Sequence, residues 1–350
     1  MPNQQFLTID VGSAWTKAFL VNFADNYVNV EKSVKLPTSW GDLSFSINLL
    51  LSQILQKDVT KIFISNLPEV EKIAEKNGGQ FVREDTAATN LVRYFKVSNS
   101  GFIILDAGAS NFKQPFLIED VGKYLTFQAN SIFLENFIGK KRYQAHVLPV
   151  DTKELEIEEA FLRSIFKAKL SGRSSGKQNI IALSGGVISG TPKLSRVALI
   201  LLDIHERMDV SQVLFDREFF LPSFGALLST YKQLQTANVG PWLENMGTLV
   251  SLGGKMAADL DWDYSQIQKI ELEEGEISLV PVPKEQKIKL SLVTSEKNKS
   301  LYEVGGGTLG LVFDARIKPL PIAYGQNESR KLMTDWLKQV EEAELSKEVF

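Results

Sequence analysis

At 350 residues, with 44% hydrophobic and 23% charged side chains, the chain has the composition of an ordinary globular protein, with room for about two domains and a sizeable core. A formal net charge of -3 gives no electrostatic reason to expect nucleic acid or an anionic membrane as partner, and the lack of any cysteine excludes disulfides, thiolate zinc sites and cysteine nucleophiles. No apolar stretch approaches the length that crosses a bilayer core of about 30 Å, and no signal-peptide pattern opens the chain, so the expected location is the cytoplasm with no transmembrane segment.

Residues 6–9 form an apolar run that ends in Asp10-Val11-Gly12-Ser13. Residues 16–21 follow so closely that an antiparallel hairpin is the expected geometry, whereas a dinucleotide-binding fold would place a helix directly after the glycine. Residues 44–55 carry leucine and isoleucine at helical spacing, and 61–64 read as a strand. Asp85 is the expected N-cap of a helix through Ala87, Ala88, Leu91, Val92 and Tyr94. Residues 102–105 then run into a second acidic-glycine turn, Asp106-Ala107-Gly108-Ala109-Ser110, with a return strand expected near 114–118, so that the opening strand-turn-strand is repeated.

An amphipathic helix is expected over 154–168, and 171–177 form a flexible, weakly basic connection whose spacing does not meet the phosphate-loop pattern. A strand over 179–183 ends in Ser184-Gly185-Gly186-Val187. A helix through 197–202, completed by 203–208, leads to a short strand at 212–215 and a helix from 221–228 with a small-residue face. The α/β pattern ends near Leu234. Residues 247–322 read as short alternating strands between glycine, proline and charged turns, and an amphipathic helix follows over 328–340. The expected division is a nucleotide-binding domain over 1–235, a β-rich domain over 236–325, and a terminal helix and tail over 326–350.

The two acidic-glycine turns carry the chemistry. Glycine at 12 and 108 lets the backbone approach a phosphate and permits positive φ, and successive N–H groups in such turns make an anion-binding nest. Asp10 and Asp106 would face one ligand from opposite sides and hold a hydrated Mg²⁺. Ser13 and Thr16 would add hydroxyl contacts, and Lys17 a point charge on the phosphates. The only histidines, His146 and His205, are far apart and without a ligand cluster. Gly305-Gly306-Gly307-Thr308, with no helix expected after it, reads as a tight β-turn; Trp336 reads as core, while Asp314 and Arg316 form either a structural ion pair or part of a partner surface.

The order of first turn, Arg83-Glu84-Asp85-Thr86-Ala87-Ala88, second turn and Gly185-Gly186 resembles the actin, sugar kinase and heat-shock ATPase superfamily. That resemblance implies an α/β, actin-like (ribonuclease H-like) ATPase domain of two duplicated halves, followed by the β-rich region and terminal helix. It implies ATP and Mg²⁺ as cofactors, with Asp10, Glu84 and Asp106 in hydrolysis and Glu84 orienting water. Gly108 and Ser110 would contact the phosphates, and Gly185 and Gly186 would let the nucleoside approach.

The segment Asp10-Val11-Gly12-Ser13-Ala14-Trp15-Thr16-Lys17 is similar to the opening of the glutamate mutase accessory family MutL, as are blocks at 201–203, 214–217, 221–227 and 306–316 with Pro319-Leu320. This implies a chaperone or reactivase whose protein partner is an adenosylcobalamin-dependent mutase. The second turn departs from that family's Asp-x-Gly-Gly-Ala-Thr-Thr-Asp: here Ala109, Ser110, Asn111, Phe112 and Lys113 follow Gly108. Alanine would cost about 1 kcal/mol or more if its position needed positive φ, and Lys113 stands where the family carries a carboxylate. A non-hydrolysing nucleotide-dependent scaffold or filament protein is the alternative. A small-molecule kinase would need an aspartate base beside an acceptor pocket, which the sequence does not locate; self-association is left open.

Overall fold

The computed structural model describes residues 4–54, 59–95, 101–170, 178–205, 209–251, 253–262, 267–293 and 299–347. The expected connection at 171–177 and the end of the helix expected through 208 lie outside the described residues. No described helix is long and apolar enough to cross a membrane.

Strands β1 (Gln4–Val11), β2 (Trp15–Ala24) and β3 (Tyr27–Pro37) form an antiparallel meander. Its second turn uses Asp25 and Asn26 at φ 50° and 65°, a conformation these two side chains tolerate. Helix α1 (Leu43–Ile54) leads to β4 (Thr60–Ile64), and α2 (Pro68–Lys76) to β5 (Gln80–Val82). Both strands run parallel to β1, giving the order β5-β4-β1-β2-β3, to which β9 (Asn238–Val239) adds a short sixth strand. Residues 6–11 of β1 are buried on both faces because helices cover the sheet on both sides, which is why apolar side chains fall on both faces of the strand, with Thr8 and Asp10 as its buried polar members.

Helix α3 (Glu84–Phe95) carries the chain to β6 (Gly101–Asp106). Helices α4 (Ile118–Gly122), α5 (Ser131–Tyr143) and α6 (Thr152–Leu170) precede β7 (Gln178–Ser184), and α7 (Gly186–Ser189) with α8 (Leu194–Ile204) precede β8 (Asp209–Asp216). The parallel triplet β6-β7-β8 repeats the parallel frame β1-β4-β5, so the halves are duplicated. The expected return strand at 114–118 is not formed. Residues Ala109–Lys113 make a 3₁₀ turn, closed by Asn111 donating to the carbonyls of Asp106 (2.7 Å) and Gly108 (2.9 Å). Phe112 is buried and stacks on Phe161 of α6, while Pro115 has no N–H for a ladder, so β6 remains a sheet edge. Asp85 is likewise not the N-cap of α3. It sits inside the first turn, and Arg83 supplies the carbonyl that accepts from Ala87 N–H at 3.0 Å.

Helix α9 (Leu221–Thr230) packs against α3 in the layer between the two sheets. The two helices come closest at Gly225, where a Cβ would lie 2.4 Å from the Ala87 carbonyl oxygen. Beyond a 3₁₀ turn at Lys232–Thr236, β10 (Leu243–Ser251), β13 (Ile277–Val280) and β16 (Leu311–Asp314) extend the second sheet in the order β13-β16-β10-β8-β7-β6. Strands β11 (Met256–Asp261), β12 (Ile267–Leu272), β14 (Lys287–Val293) and β15 (Lys299–Gly305) form a small sheet of their own, ordered β12-β11-β14-β15. The β-rich remainder is thus shared among all three sheets. Helix α10 (Asn327–Lys347) lies against α8 and β13.

The architecture is α/β of the actin-like type: two duplicated halves, each with a parallel three-strand frame, with α3 and α9 between their sheets, and a β-rich remainder with a terminal helix. Asp314 and Arg316 are a structural ion pair. The buried Arg316 donates to Asp314 at 2.8 Å and to Asp203 of α8 at 2.7 Å, and Arg163 of α6 donates to the same Asp203 at 2.7 Å. Trp336 of α10 is a core residue, with the Arg316 guanidinium 4.6 Å from its ring.

Candidate functional site

The C-terminal ends of β1, β6 and β7 meet at one cleft, the place where open α/β sheets bind ligands. Its cavity volume is about 230 Å³, and its walls include Asp10, Gly12, Ser13, Lys17, Glu84, Asp106, Gly108, Ser110, Gly185 and Gly186. Thr16 is the exception. Alternation along β2 turns Trp15 and Lys17 to the cleft and Thr16 to the opposite side, where it is fully buried 3.0 Å from the Thr38 hydroxyl.

The first turn is braced on three sides. Gly12 N–H donates to the Trp15 carbonyl at 3.0 Å, the Thr38 hydroxyl to the Gly12 carbonyl at 2.8 Å, and Trp40 Nε1 to the Ser13 carbonyl at 3.0 Å. The Ser65 hydroxyl donates to the Val11 carbonyl at 2.7 Å. Neither Gly12 nor Gly108 uses the positive φ that glycine permits: Gly108 lies at φ -72°, and its missing Cβ makes room for the Asp106 carboxylate, whose Oδ2 would be 2.8 Å away. Ala109 also stays out of the left-handed region, so alanine carries no backbone penalty there.

Gly185 does need its freedom. It lies at φ 108°, and a Cβ would fall 2.4 Å from Ala107 C and 2.5 Å from Gly108 N. Its bareness serves turn-against-turn packing, reinforced by Ala107 N–H donating to the Ser184 carbonyl at 2.7 Å. Gly186 is the open position, with only Trp15 Nε1 at 3.8 Å from where its Cβ would be.

Asp10 is buried and pairs with Lys17 at 2.5 Å. Burial alone would lower the Lys17 pKa, but Asp10, with Asp216 and Asp106 behind it, holds the ammonium above its usual value. Glu84, at the start of α3, accepts from Asn66 Nδ2 at 2.7 Å. Burial, then the charges of Asp10, Asp106 and Asp85, push its carboxyl up to about 7 against the pull of Lys17. Asp106 keeps contact with water although protein crowds it closely. That crowding raises its pKa, opposed by Lys169, Lys17 and the Gly108 N–H, which donates to Oδ1 at 3.0 Å; its open side makes this push weaker than a closed interior would.

Three further residues belong to the site and were not among the expected ones. Asp216, fully buried at the end of β8, accepts from Phe220 N–H (2.9 Å), Leu221 N–H (2.7 Å) and the Ser184 hydroxyl (2.9 Å). It is the fixed acid behind Lys17; burial raises its pKa against those three donors and Lys17. Phe219 lines the cleft at φ 61°, with Lys17 and Lys35 at 5.5 and 4.4 Å from its ring centre. A bulky side chain in that region costs about 1–2 kcal/mol, and the grip of Asp216 on the next two N–H groups holds it there. Lys169 of α6 donates to the side-chain amide oxygen Oδ1 of Asn111 at 3.3 Å beside Asp106. The sequence signal for Asp216 was an acid five residues ahead of the Leu221-Pro222 helix start.

No group of three His, Cys, Asp or Glu side chains that could hold a metal by itself occurs among the described residues. Asp10 and Asp106, both electrostatic neighbours of Glu84 and Lys17, fit instead an ion that takes one or two carboxylates and completes its shell with phosphate oxygens and water, as Mg²⁺ does.

No family model and no curated protein matches the chain. Among solved structures it is similar to component A of (R)-2-hydroxyglutaryl-CoA dehydratase from Acidaminococcus fermentans, at 13% identity and a TM-score of 0.37 over 66% of this chain and 99% of that one. It is also similar to the ethanolamine utilization protein EutJ from Carboxydothermus hydrogenoformans (12% identity, TM-score 0.38, 65% and 90% covered). A putative N-acetylmannosamine kinase from Listeria monocytogenes matches at 10% identity and a TM-score of 0.36, over 65% of this chain and all of that one.

Proposed function

We propose that the chain is a nucleotide-dependent accessory protein that binds ATP with Mg²⁺ in the cleft and couples its occupancy to the hold on a partner enzyme. One observation carries this: Asp10, Glu84 and Asp106, delivered by two different halves, share one cleft with Lys17, where burial and the neighbouring carboxylates push the Glu84 carboxyl up to about 7. The turns at 10–13 and 106–110 offer backbone on both sides of a phosphate chain. An incoming phosphate gives Lys17 a second anion, which frees Asp10 from its ion pair. Asp10 and Asp106 would hold Mg²⁺, which supplies charge neutralisation on the phosphates when bound. Glu84 then acts as the base that takes a proton from water at neutral pH, held in place by Asn66.

The partner class, an adenosylcobalamin-dependent mutase in the cytoplasm, follows from the sequence similarity to the MutL family. The compact 3₁₀ turn after Asp106, where the first half has a hairpin, favours a second reading in which nucleotide is bound without turnover.

Calorimetry with ATP and Mg²⁺, together with phosphate release by the wild type, Asp10→Ala and Glu84→Gln, tests the proposal. Binding by the wild type and a fall in turnover of about 100-fold or more in Glu84→Gln are expected. Absence of binding at millimolar ATP refutes it, and binding with no turnover selects the scaffold reading. ATP-dependent co-purification with a cobalamin mutase tests the partner.

A further inference from the structure

Beside the cleft is a smaller recess of about 70 Å³, walled by Ser13, Thr38, Trp40, Lys113, Arg142 and His146. The two spaces share Ser13, Trp40 and Ala109, so a ligand in one borders the other. Their charges are opposite. The cleft sets three carboxylates (Asp10, Glu84, Asp106) against the single ammonium of Lys17, whereas the recess has Lys113 and Arg142 and no acidic side chain.

Both cations are placed by fixed contacts and left without a counter-charge. Arg142, in the last turn of α5, donates through Nε to the Phe112 carbonyl at 2.9 Å. The Lys113 ammonium stands 5.3 Å from the centre of the Trp40 ring, which is itself tied to Ser13 by its indole N–H. Neither Lys113 nor Arg142 forms an ion pair with a carboxylate among the described residues. A space of this size takes about two waters at roughly 30 Å³ each, enough for one small oxyanion and too small for a nucleotide.

We propose that this recess is an oxyanion subsite that binds a phosphate-type group, with Lys113 and Arg142 as its charged ligands. The inference stands on the recess alone and does not require nucleotide in the cleft. The cleft, with its excess of carboxylates, repels a free phosphate, so an unaccompanied anion goes to the recess. Two sources present the same chemistry: the terminal phosphate of a nucleotide, or a separate small anionic molecule.

The test is titration of the full chain with inorganic phosphate, without Mg²⁺ and at low ionic strength, followed by calorimetry or ³¹P line broadening. Saturable binding is expected, weakened about tenfold by Lys113→Ala and by Arg142→Ala, and abolished by the pair together. Lys232→Ala should leave it unchanged, because Lys232 is exposed and lines neither the recess nor the cleft. Both recess side chains are exposed, and an unchanged melting temperature confirms that the variants are folded. Competition by ATP assigns the subsite to the nucleotide's own phosphate, and additive binding assigns it to a second anion. The proposal is overturned by absence of saturable binding to the wild type, by equal binding in the double variant, or by a loss in Lys232→Ala as large as in Lys113→Ala.

Discussion

Gly185→Ala is the perturbation whose consequence is most tightly bounded by the geometry. The residue lies at φ 108° and ψ 152°, a region essentially reserved for glycine, where a side chain costs about 1–3 kcal/mol in backbone strain. The added methyl would also sit 2.4 Å from Ala107 C, 2.5 Å from Gly108 N and 2.7 Å from Ala107 N. These are main-chain atoms of the second acidic turn and cannot rotate away, so overpacking adds about 1–3 kcal/mol. The sum, roughly 2–6 kcal/mol, compares with a total stability of about 5–15 kcal/mol for an ordinary protein. Urea unfolding followed by tryptophan fluorescence should show a large drop in midpoint at unchanged slope. Gly186→Ala is the comparator: its Cβ meets only Trp15 Nε1 at 3.8 Å, and the midpoint should move by about 0.5 kcal/mol equivalent or less. Equal midpoints for Gly185→Ala and wild type would refute the close packing of the two turns, and with it the account of how Asp106 is positioned.

Glu84 predicts a pH dependence. Its folded pKa of about 7 lies above the unfolded value near 4.5, so the native state holds the extra proton between these pH values and wild-type stability falls as pH rises through that window. Glu84→Gln should therefore gain stability relative to wild type from pH 4.5 to 7, and thermal melts at both pH values check the sign. Arg316→Met removes the donor shared by Asp314 and Asp203 and leaves buried carboxylates short of charge; a loss of about 3–5 kcal/mol is expected by chemical denaturation. Asp216→Ala strips the N–H groups of Phe220 and Leu221, at the entry to α9, of their acceptor and should cost about 2 kcal/mol in the same assay. A smaller effect than in an exposed control such as Asp335→Ala would contradict its role.

The two acidic turns were legible in the sequence because the contacts that make them are local. The runs that end in Asp10 and Asp106 are short apolar segments closed by turn residues, and a strand-to-turn transition is a property of a few neighbouring residues. Thr16 was misplaced by one step of the two-residue alternation, which the motif alone does not orient. The return strand failed for a different reason: Asn111, Phe112 and Pro115 close, bury and interrupt the segment, and only the position of Phe161 shows where Phe112 goes. Asp216 and Phe219 joined the site from more than a hundred residues beyond Asp106, through the antiparallel and parallel pairings of β8, and no local pattern reports such neighbours. The mixed fate of 236–325 has the same origin, since short alternating strands look alike whichever sheet receives them.

The insertion of β8 between β7 and β10 has a consequence for synthesis. As the chain is made, β6, β7 and β8 are complete by residue 216, while the strand that covers the far side of β8 ends only at Ser251. Until then the second sheet offers a bare row of hydrogen-bonding groups to any passing strand, including that of a neighbouring nascent copy. A chain cut after residue 235 would keep every residue of the cleft and still carry that sticky border, so the later strands act as a built-in guard for the fold that precedes them.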